Sequence, residues 1–318
     1  MNDSAYNSFV YDIPQKEEDK GKKKEDEECL CHRELKEEEL SLLIGKSYSQ
    51  KYISALNQTF KDFEINTCIR ISHFLAQVMV ESGSFVYTAE TGASDADYNG
   101  YKGRGLIQIT RKENYRAYEL YENEINKKEK NKDVICFTET LANKQKLEYI
   151  PYSVRSAGWF FAIHASLCPY ADQNDFIYIT QRINGGLNGY NARLNSLKKI
   201  VTKIVHCQEK EIPTDFTLQR SKAYDNAAMS FAWGVWHDEF IGKKGCKHDR
   251  DEAILGYERC IELDPPDTPP NINRFGLKKK FPHLLIEIVN KQNKKKTYIL
   301  RNKDVAQERL KQLKQSEE

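Results

Sequence analysis

Glu81 and Glu90 are carboxylic acids nine residues apart, one ending an apolar helical pattern and one in the polar stretch that follows. Partial burial at a helix end favours the protonated form of an acid such as Glu81. A loop can hold the Glu90 carboxylate roughly 6.5–9.5 Å away, a separation that admits water. Such a pair suits inverting hydrolysis of a glycosidic bond, with Glu81 as acid and Glu90 as base. Asp95 or Asp97 can replace Glu90, which can also be a solvated loop residue.

The element that must position Glu81 is a helix predicted over residues 68–81. Its apolar residues share one helical face: Ile71, Phe74, Leu75, Val78 and Met79. A separate polar row, His73, Gln77 and Glu81, follows a spacing of four. Such a row is either a solvated face or, between two buried flanks, the lining of a cleft. We place His73 among the substrate-binding candidates, as a hydrogen-bonded rather than a catalytic residue.

The region 46–207 is predicted to be mainly helical, with long irregular connections. Connections of this length tend to be functional. Two of them are polar and contain glycine, over 82–102 and 184–189. The helical patterns cover 50–63, 68–81, a stretch from residue 113 onward, 153–167 and 190–206, and a short helix is predicted before them over 34–44.

Three motifs within this region occur in a fixed order along the chain. They are His73–Phe85 (HFLAQVMVESGSF), Tyr101–Thr110 (YKGRGLIQIT) followed by Asn114-Tyr115, and Ile183–Arg193 (INGGLNGYNAR). Together they resemble family 19 glycoside hydrolases, the chitinases and phage-type endolysins of the lysozyme-like superfamily. The resemblance covers about residues 46–207 and implies a lysozyme-like helical domain.

The resemblance also implies roles for individual residues. Glu81 corresponds to the helix-terminal acid, Glu90 to the loop base and Thr110 to the hydroxyl that orients water. Sugar-binding positions of the family correspond to Gln108, Asn114 and Asn184, and a charged group of the cleft corresponds to Arg193. Tyr101, which we also count as substrate-binding, can stack on sugars or pack on the core, and the same choice applies to Tyr87 and Tyr98.

The sequence departs from the family pattern in two places, one beside the acid and one in the loop that shapes the cleft. Val80 stands where many members have His or Gln, so the hydrogen bonding around the acid is expected to differ. The long loop of plant chitinases is absent, which shortens the cleft and favours peptidoglycan over crystalline chitin.

Composition and charge exclude several classes of protein. The 318 residues carry a net charge of +2, which gives no general case for a nucleic-acid partner. The longest apolar stretch, 157–168, is shorter than the roughly 20 residues of a membrane span. The first residues lack the basic and apolar regions of a secretory signal, so we expect synthesis in the bacterial cytoplasm and delivery to the periplasm or cell wall by another route.

Charge is distributed unevenly and suggests three parts. Residues 1–45 carry seven Lys/Arg against thirteen Asp/Glu, and they are predicted to form an acidic, partly disordered lead with a short helix. Residues 46–207 form the hydrolase-like domain. Residues 208–318 are predicted to be a small basic α+β module, with helices over 225–237, 249–263 and 304–313, strands over 283–290 and 296–300, and a proline-rich linker over 264–270. Its basic end, twelve Lys/Arg against five Asp/Glu over 278–318, either attracts an anionic wall polymer or acidic partner or is a solvated face.

The eight cysteines are scattered, and most are predicted to be reduced apolar fillers. Two clusters, Cys29-Leu30-Cys31-His32 and Cys246-Lys247-His248 with His237, lack the usual spacing of zinc ligands. We therefore predict no metal and no cofactor.

The combined prediction is a bacterial cell-wall glycosidase that cuts β-1,4 bonds between amino sugars. The acidic lead and C-terminal module suggest either a phage-type lysis protein or a protein that resembles type VI secretion effectors with lysozyme-like domains. An effector of that kind would require an immunity protein and a secretion component as partners. One alternative is a chitinase acting on exogenous chitin. Another is a catalytically silent wall-binding or baseplate component with the same fold.

Overall fold

The computed structural model describes residues 29–30, 33–130, 133–205, 212–242, 248–263, 276–289 and 296–315. The described chain is mainly helical with a small two-stranded sheet, which confirms the predicted fold class. The α-helices are α1 (Glu37–Ile44), α2 (Lys46–Asp62), α3 (Cys68–Glu81), α4 (Lys112–Lys128), α5 (Leu141–Gln145), α6 (Tyr152–Trp159), α7 (Cys168–Asp172), α8 (Phe176–Asn184), α9 (Tyr190–Lys203), α10 (Ala227–His237), α11 (Arg250–Glu262), α12 (Leu277–Lys280) and α13 (Asn302–Gln315). The strands are β1 (Ile286–Val289) and β2 (Lys296–Ile299).

Helix α3 lies at the centre of the first hydrophobic core. The Thr67 hydroxyl caps its start by accepting a hydrogen bond from the Arg70 N–H at 3.2 Å. Phe74 is fully buried and packs edge-on against Phe60 and Phe161, each with ring centroids 5.6 Å apart. Helix α9 packs along α3. Because α3 is covered on more than its apolar face, its polar row cannot be a solvated surface.

A second core lies in the C-terminal part, where α11 packs against both α10 and α13. Helix α10 belongs to both cores: Phe231 and Val235 face the second, whereas Trp233 and Trp236 face the first. The two strands pair antiparallel, with Ile286 opposite Ile299. Both were predicted as longer strands, and the turn between them lies outside the described residues.

The first core extends across both predicted domain boundaries. Leu40 and Leu43 of α1 join the first core ahead of residue 46, and Leu218 and Ala223 join it beyond residue 207. The division into 1–45, 46–207 and 208–318 stays a prediction. Residues 1–28 of the predicted acidic lead and the proline-rich linker over 264–270 lie outside the described residues.

The helix predicted over 153–167 is wrong in its length. Helix α6 ends at Trp159 and a π-helical turn, Phe160–His164, replaces its continuation. Ser166 then adopts a left-handed conformation with φ 51°, which stops the helix. Within the described residues, no helix combines the length and apolar character needed to cross a membrane.

The cysteines partly follow their prediction. Cys68, Cys136, Cys168 and Cys260 form no disulfide bond, whereas Cys29 is disulfide-bonded. The Sγ atoms of Cys29 and Cys68 lie 3.2 Å apart. Cys31, His32, Cys207 and Cys246 lie outside the described residues.

Candidate active site

Glu81 is the last residue of α3, at the position expected for an acid at a helix end. The chain turns away directly after it because the buried Ser82 hydroxyl donates to the Val78 carbonyl at 2.7 Å and accepts from the Phe85 N–H at 2.9 Å. The Glu81 side chain keeps 18% of its surface exposed. The backbone at Glu81 is therefore fixed, while part of its side chain stays accessible to solvent.

Arg193 of α9 holds the Glu81 carboxylate. Its Nη2 donates to Glu81 Oε1 at 2.5 Å, and the arginine side chain is only 2% exposed. A charge-assisted hydrogen bond between an ordered guanidinium and a carboxylate is among the stronger polar contacts in a protein. The sequence predicted Arg193 as a charged group of the cleft, and its observed contact is with the candidate acid.

Gln77 and Thr180 complete this network, and sequence reasoning missed their roles. Arg193 Nη1 donates to Gln77 Oε1 at 2.8 Å, and Gln77 Nε2 donates to Thr180 Oγ1 at 3.1 Å. Gln77 and Thr180 are both fully buried. The spacing of four between Gln77 and Glu81 was a usable signal for Gln77, whereas no local pattern marked Thr180.

Glu90 lies in a small bridged segment in which Ala89 pairs with Arg104 and Arg104 pairs with Ile109. The Gly103 N–H donates to Glu90 Oε2 at 3.0 Å, and the Glu90 N–H donates to the Gly103 carbonyl at 2.8 Å. A Cβ on Gly103 would lie 2.8 Å from Gln108 Oε1 and 3.4 Å from Glu90 Cβ. Glycine at this position thus lets the Glu90 and Gln108 side chains flank the same piece of backbone.

The two other candidate bases have structural partners. Asp95 pairs with Arg104, a fully buried arginine that also donates to Glu148 Oε1 at 2.7 Å. Asp97 Oδ2 accepts from the Ser94 N–H at 2.7 Å and so closes a turn. These contacts leave Glu90 as the better candidate for a base.

Thr110 and Asn114 come directly after the bridged segment in the sequence, and local hydrogen bonds hold both side chains. The Thr110 hydroxyl donates to the Gln108 carbonyl at 2.9 Å, and Asn114 Nδ2 donates to the Thr110 carbonyl at 2.9 Å. Gln108 has a left-handed backbone with φ 57°, and its Nε2 donates to the Gly105 carbonyl at 2.8 Å. Asn184 is half-buried at the end of α8, in the third motif.

His73 requires a correction, because its ring is fully buried and cannot contact a sugar. Its Nε2 forms a hydrogen bond with Asn174 Oδ1 at 2.8 Å. Burial lowers the pKa of His73 to about 4, so the ring is neutral at physiological pH. The expected hydrogen-bonded role fits this geometry, and the substrate-binding role does not.

Tyr101 requires the same correction. Only 7% of it is exposed, its hydroxyl donates to the Thr138 carbonyl at 2.8 Å, and Lys144 Nζ covers its ring at 4.0 Å from the centroid. Tyr101 therefore packs on the core.

Tyr87 and Tyr98 are each 50% exposed and remain available for stacking on a sugar. The Tyr98 hydroxyl points at Glu90 Oε1, 3.4 Å away, and the Glu90 charge raises the pKa of that hydroxyl.

Comparison with known proteins agrees with the motifs. No family model matches the chain. A glycosyl hydrolase family 19 domain-containing protein of Haemophilus influenzae is 37% identical over 93 residues, which are 29% of this chain and 37% of that relative. The matched part thus spans little more than a third of the relative's length. The predicted resemblance to family 19 glycoside hydrolases is confirmed over this matched part.

Among solved structures, chitinase C from Streptomyces griseus is similar to this chain with a TM-score of 0.41 and 17% identity. The similarity covers 56% of this chain and 79% of the chitinase.

Proposed function

We propose that this protein is a glycoside hydrolase that cleaves β-1,4 bonds between amino sugars, with Glu81 as general acid. The observation that carries the proposal is the setting of Glu81: a carboxylate at the end of a buried helix, 18% exposed, and fixed by a buried arginine. An acid must protonate the leaving oxygen from a defined direction, and the hydrogen bond from Arg193 fixes the orientation of the Glu81 carboxyl group.

Glu90 is the proposed base in this mechanism. Its Oε2 is oriented by the Gly103 N–H, and Gln108 lies against the same glycine as a partner for sugar hydroxyls. Thr110 is the proposed second contact of the attacking water. The mechanism requires Glu90 to approach the anomeric carbon from the side opposite Glu81, which gives inversion.

Peptidoglycan is the proposed substrate, because the chain lacks the long loop that extends the cleft of plant chitinases. The exposed rings of Tyr87 and Tyr98 offer stacking surfaces for a short stretch of glycan. We further propose that the protein acts on the bacterial wall, delivered by a secretion apparatus or a phage-type route. An immunity protein that blocks the cleft would be its partner in the first case.

Digestion of purified peptidoglycan and of chitin oligomers, with products identified by mass, tests the activity. Glu81→Gln keeps the shape of the side chain but removes the transferable proton, so the rate should fall on the order of 10²–10⁴-fold. Glu258→Gln is a control, since Glu258 is also a helical carboxylate in an ion pair, with Lys314 at 2.6 Å, but is exposed on the surface of α11. An equal rate in wild type and Glu81→Gln would show that another group donates the proton. A wild type that binds but digests neither glycan would support the silent wall-binding alternative.

Proton NMR of freshly released sugar tests the mechanism. We expect the α-anomer first from a β-linked substrate, and Glu90→Gln should remove most turnover while binding persists. Asp97→Asn changes the neighbouring acid and should retain activity, because Asp97 closes a turn. Initial release of the β-anomer would show retention and would remove Glu90 from the role of base.

A further inference from the structure

The polar row of α3 is buried, and it continues as hydrogen bonds to two other helices. Gln77 occupies the middle of the row and joins Thr180 of α8 to Arg193 of α9. Arg193 in turn bonds Glu81, one helical turn beyond Gln77. Four side chains from three helices thus form one continuous network that ends at the proposed acid.

We propose that Gln77 is a positioning residue for Glu81, acting through Arg193, with Thr180 fixing the orientation of the Gln77 amide. This proposal rests on the proposed function, since it assigns Gln77 and Thr180 to the same reaction. Neither residue reaches the substrate, because both are fully buried.

The geometry of Arg193 shows why it needs Gln77. A guanidinium has five N–H donors in a fixed plane, so two bonded nitrogens define its orientation. Nη1 is held by Gln77 and Nη2 is held by Glu81, whereas the buried Nε has no hydrogen-bond partner in the described chain. Without Gln77, the hydrogen bonds of the described chain would leave the guanidinium plane of Arg193 fixed by Glu81 alone, which is the group that Arg193 is meant to position.

The chemistry of an amide at position 77 matters as well as its shape. Gln77 is a neutral acceptor, so the positive charge of Arg193 is shared with one carboxylate, Glu81. Among the described residues, Arg193 is the charged side chain that contacts Glu81. Because the Thr180 hydroxyl accepts from Nε2, the amide oxygen of Gln77 must face Arg193.

The test compares four substitutions in the full-length chain with a matched control. Gln77→Met removes both amide contacts at similar volume, and Gln77→Glu supplies a charged acceptor in the same shape. Thr180→Val removes the hydroxyl, whereas Thr180→Ser keeps it. Ser72→Ala is the control, because Ser72 is buried on the same helix and its hydroxyl has no hydrogen-bond partner in the described chain.

The readouts are kcat and KM on soluble peptidoglycan fragments over a range of pH, and a ¹³C NMR titration of the Glu81 carboxyl. We expect Gln77→Met to lower kcat on the order of tenfold to a hundredfold with little change in KM, because a misplaced catalytic group lowers the rate of the chemical step.

Thr180→Val should lower kcat about fivefold, which corresponds to the loss of one neutral hydrogen bond, and Thr180→Ser should recover most of that loss. Gln77→Glu should move the alkaline limit of kcat and the Glu81 titration upward by on the order of one pH unit, because a second carboxylate competes for Arg193. Ser72→Ala should change none of these readouts.

The outcomes separate the two proposals. An inactive wild type overturns the proposed function, and the Glu81 titration still reports whether Gln77 acts on Glu81. An active wild type in which the Gln77 variants match Ser72→Ala in kcat and in the Glu81 titration overturns the positioning role. A change in KM alone would place Gln77 in substrate binding and would also overturn it.

Discussion

Two arginine–carboxylate pairs among the described residues can be compared: Arg193 with Glu81 in the first core and Arg309 with Asp238 in the second. The two pairs are built differently. In the second core, Arg309 grips Asp238 with two parallel bonds, Nε to Oδ2 at 2.7 Å and Nη2 to Oδ1 at 2.9 Å. Tyr257 and the Phe240 N–H also donate to Asp238, at 2.8 and 3.0 Å, and its side chain is fully buried. In the first core, Glu81 accepts a single bond from Arg193 and keeps part of its surface exposed.

The difference shows what each carboxylate is free to do. Asp238 has four donors on its two oxygens, so it has no capacity for a further ligand and stabilises the meeting point of α10, α11 and α13. Glu81 keeps Oε2 for another partner, and its arginine is oriented by the neutral Gln77. All the acceptor positions of Asp238 are thus occupied, whereas Glu81, the proposed acid, is bonded on one oxygen only among the described contacts.

The largest expected effect on folding is at Asp238. Asp238→Asn leaves the buried Arg309 without its counter-charge, and removing one partner of a buried pair typically lowers the free energy of unfolding by about 3–5 kcal/mol. Urea unfolding measures it, with Glu258→Gln as an exposed-pair control. A loss equal to that of Glu258→Gln would mean that the Asp238 pair is not structural.

An apolar double replacement, Asp238→Leu with Arg309→Met, sharpens this result. It removes both charges together and leaves only the Tyr257 hydroxyl and the Phe240 N–H without an acceptor, which costs roughly 1–3 kcal/mol. The double variant should therefore be more stable than Asp238→Asn.

The next effect concerns His73, a buried polar group on the same helix as Glu81. Its pKa is lowered to about 4 in the folded chain, so the unfolded chain binds more protons between about pH 4 and pH 6.5. The stability tied to neutral His73 is complete above about pH 6.5 and is lost as the pH falls towards 4. The loss amounts to about 3 kcal/mol. His73→Gln should show a smaller drop in unfolding free energy between pH 7 and pH 4 than wild type does. An identical drop in both proteins would mean that His73 is protonated without unfolding.

The smallest expected effect on folding is at Glu81. In Glu81→Gln the amide oxygen can still accept from Arg193, and the 18% exposure of Glu81 lets water reach this end of the pair, so the free energy of unfolding should fall by less than in Asp238→Asn while activity is lost. Parallel urea curves and rate measurements on one preparation check this. A loss comparable to that of Asp238→Asn would place Glu81 in the fold rather than in the chemistry.

The sequence predicted best what depends on local spacing. The helical periodicity of α3 was enough to place Glu81 at a helix end, and the polar, glycine-containing stretch over 82–102 indicated a loop with a second acid. It could not show that Gln77 and Arg193 meet, because they are 116 residues apart and neither has a local pattern that requires the other.

Tertiary packing explains the other differences between the sequence-based predictions and the structure. Tyr101 and His73 carry groups suited to sugar binding, but tertiary contacts enclose both. Helix α10 has apolar residues on all sides, which identifies a buried helix without showing that Trp233 and Phe231 enter different cores. The first core therefore includes residues on both sides of position 207, such as Leu218 and Ala223.

The Glu81–Arg193 contact joins residues 112 positions apart, so the ribosome synthesises Glu81 well before Arg193. At about 5–20 residues per second, roughly 6–22 s pass between synthesis of the acid and synthesis of its arginine. During that interval α3 has neither Arg193 nor the α9 surface that encloses it. The nascent chain therefore carries its proposed acid in an incomplete site, and the site is completed only after α9 has been made.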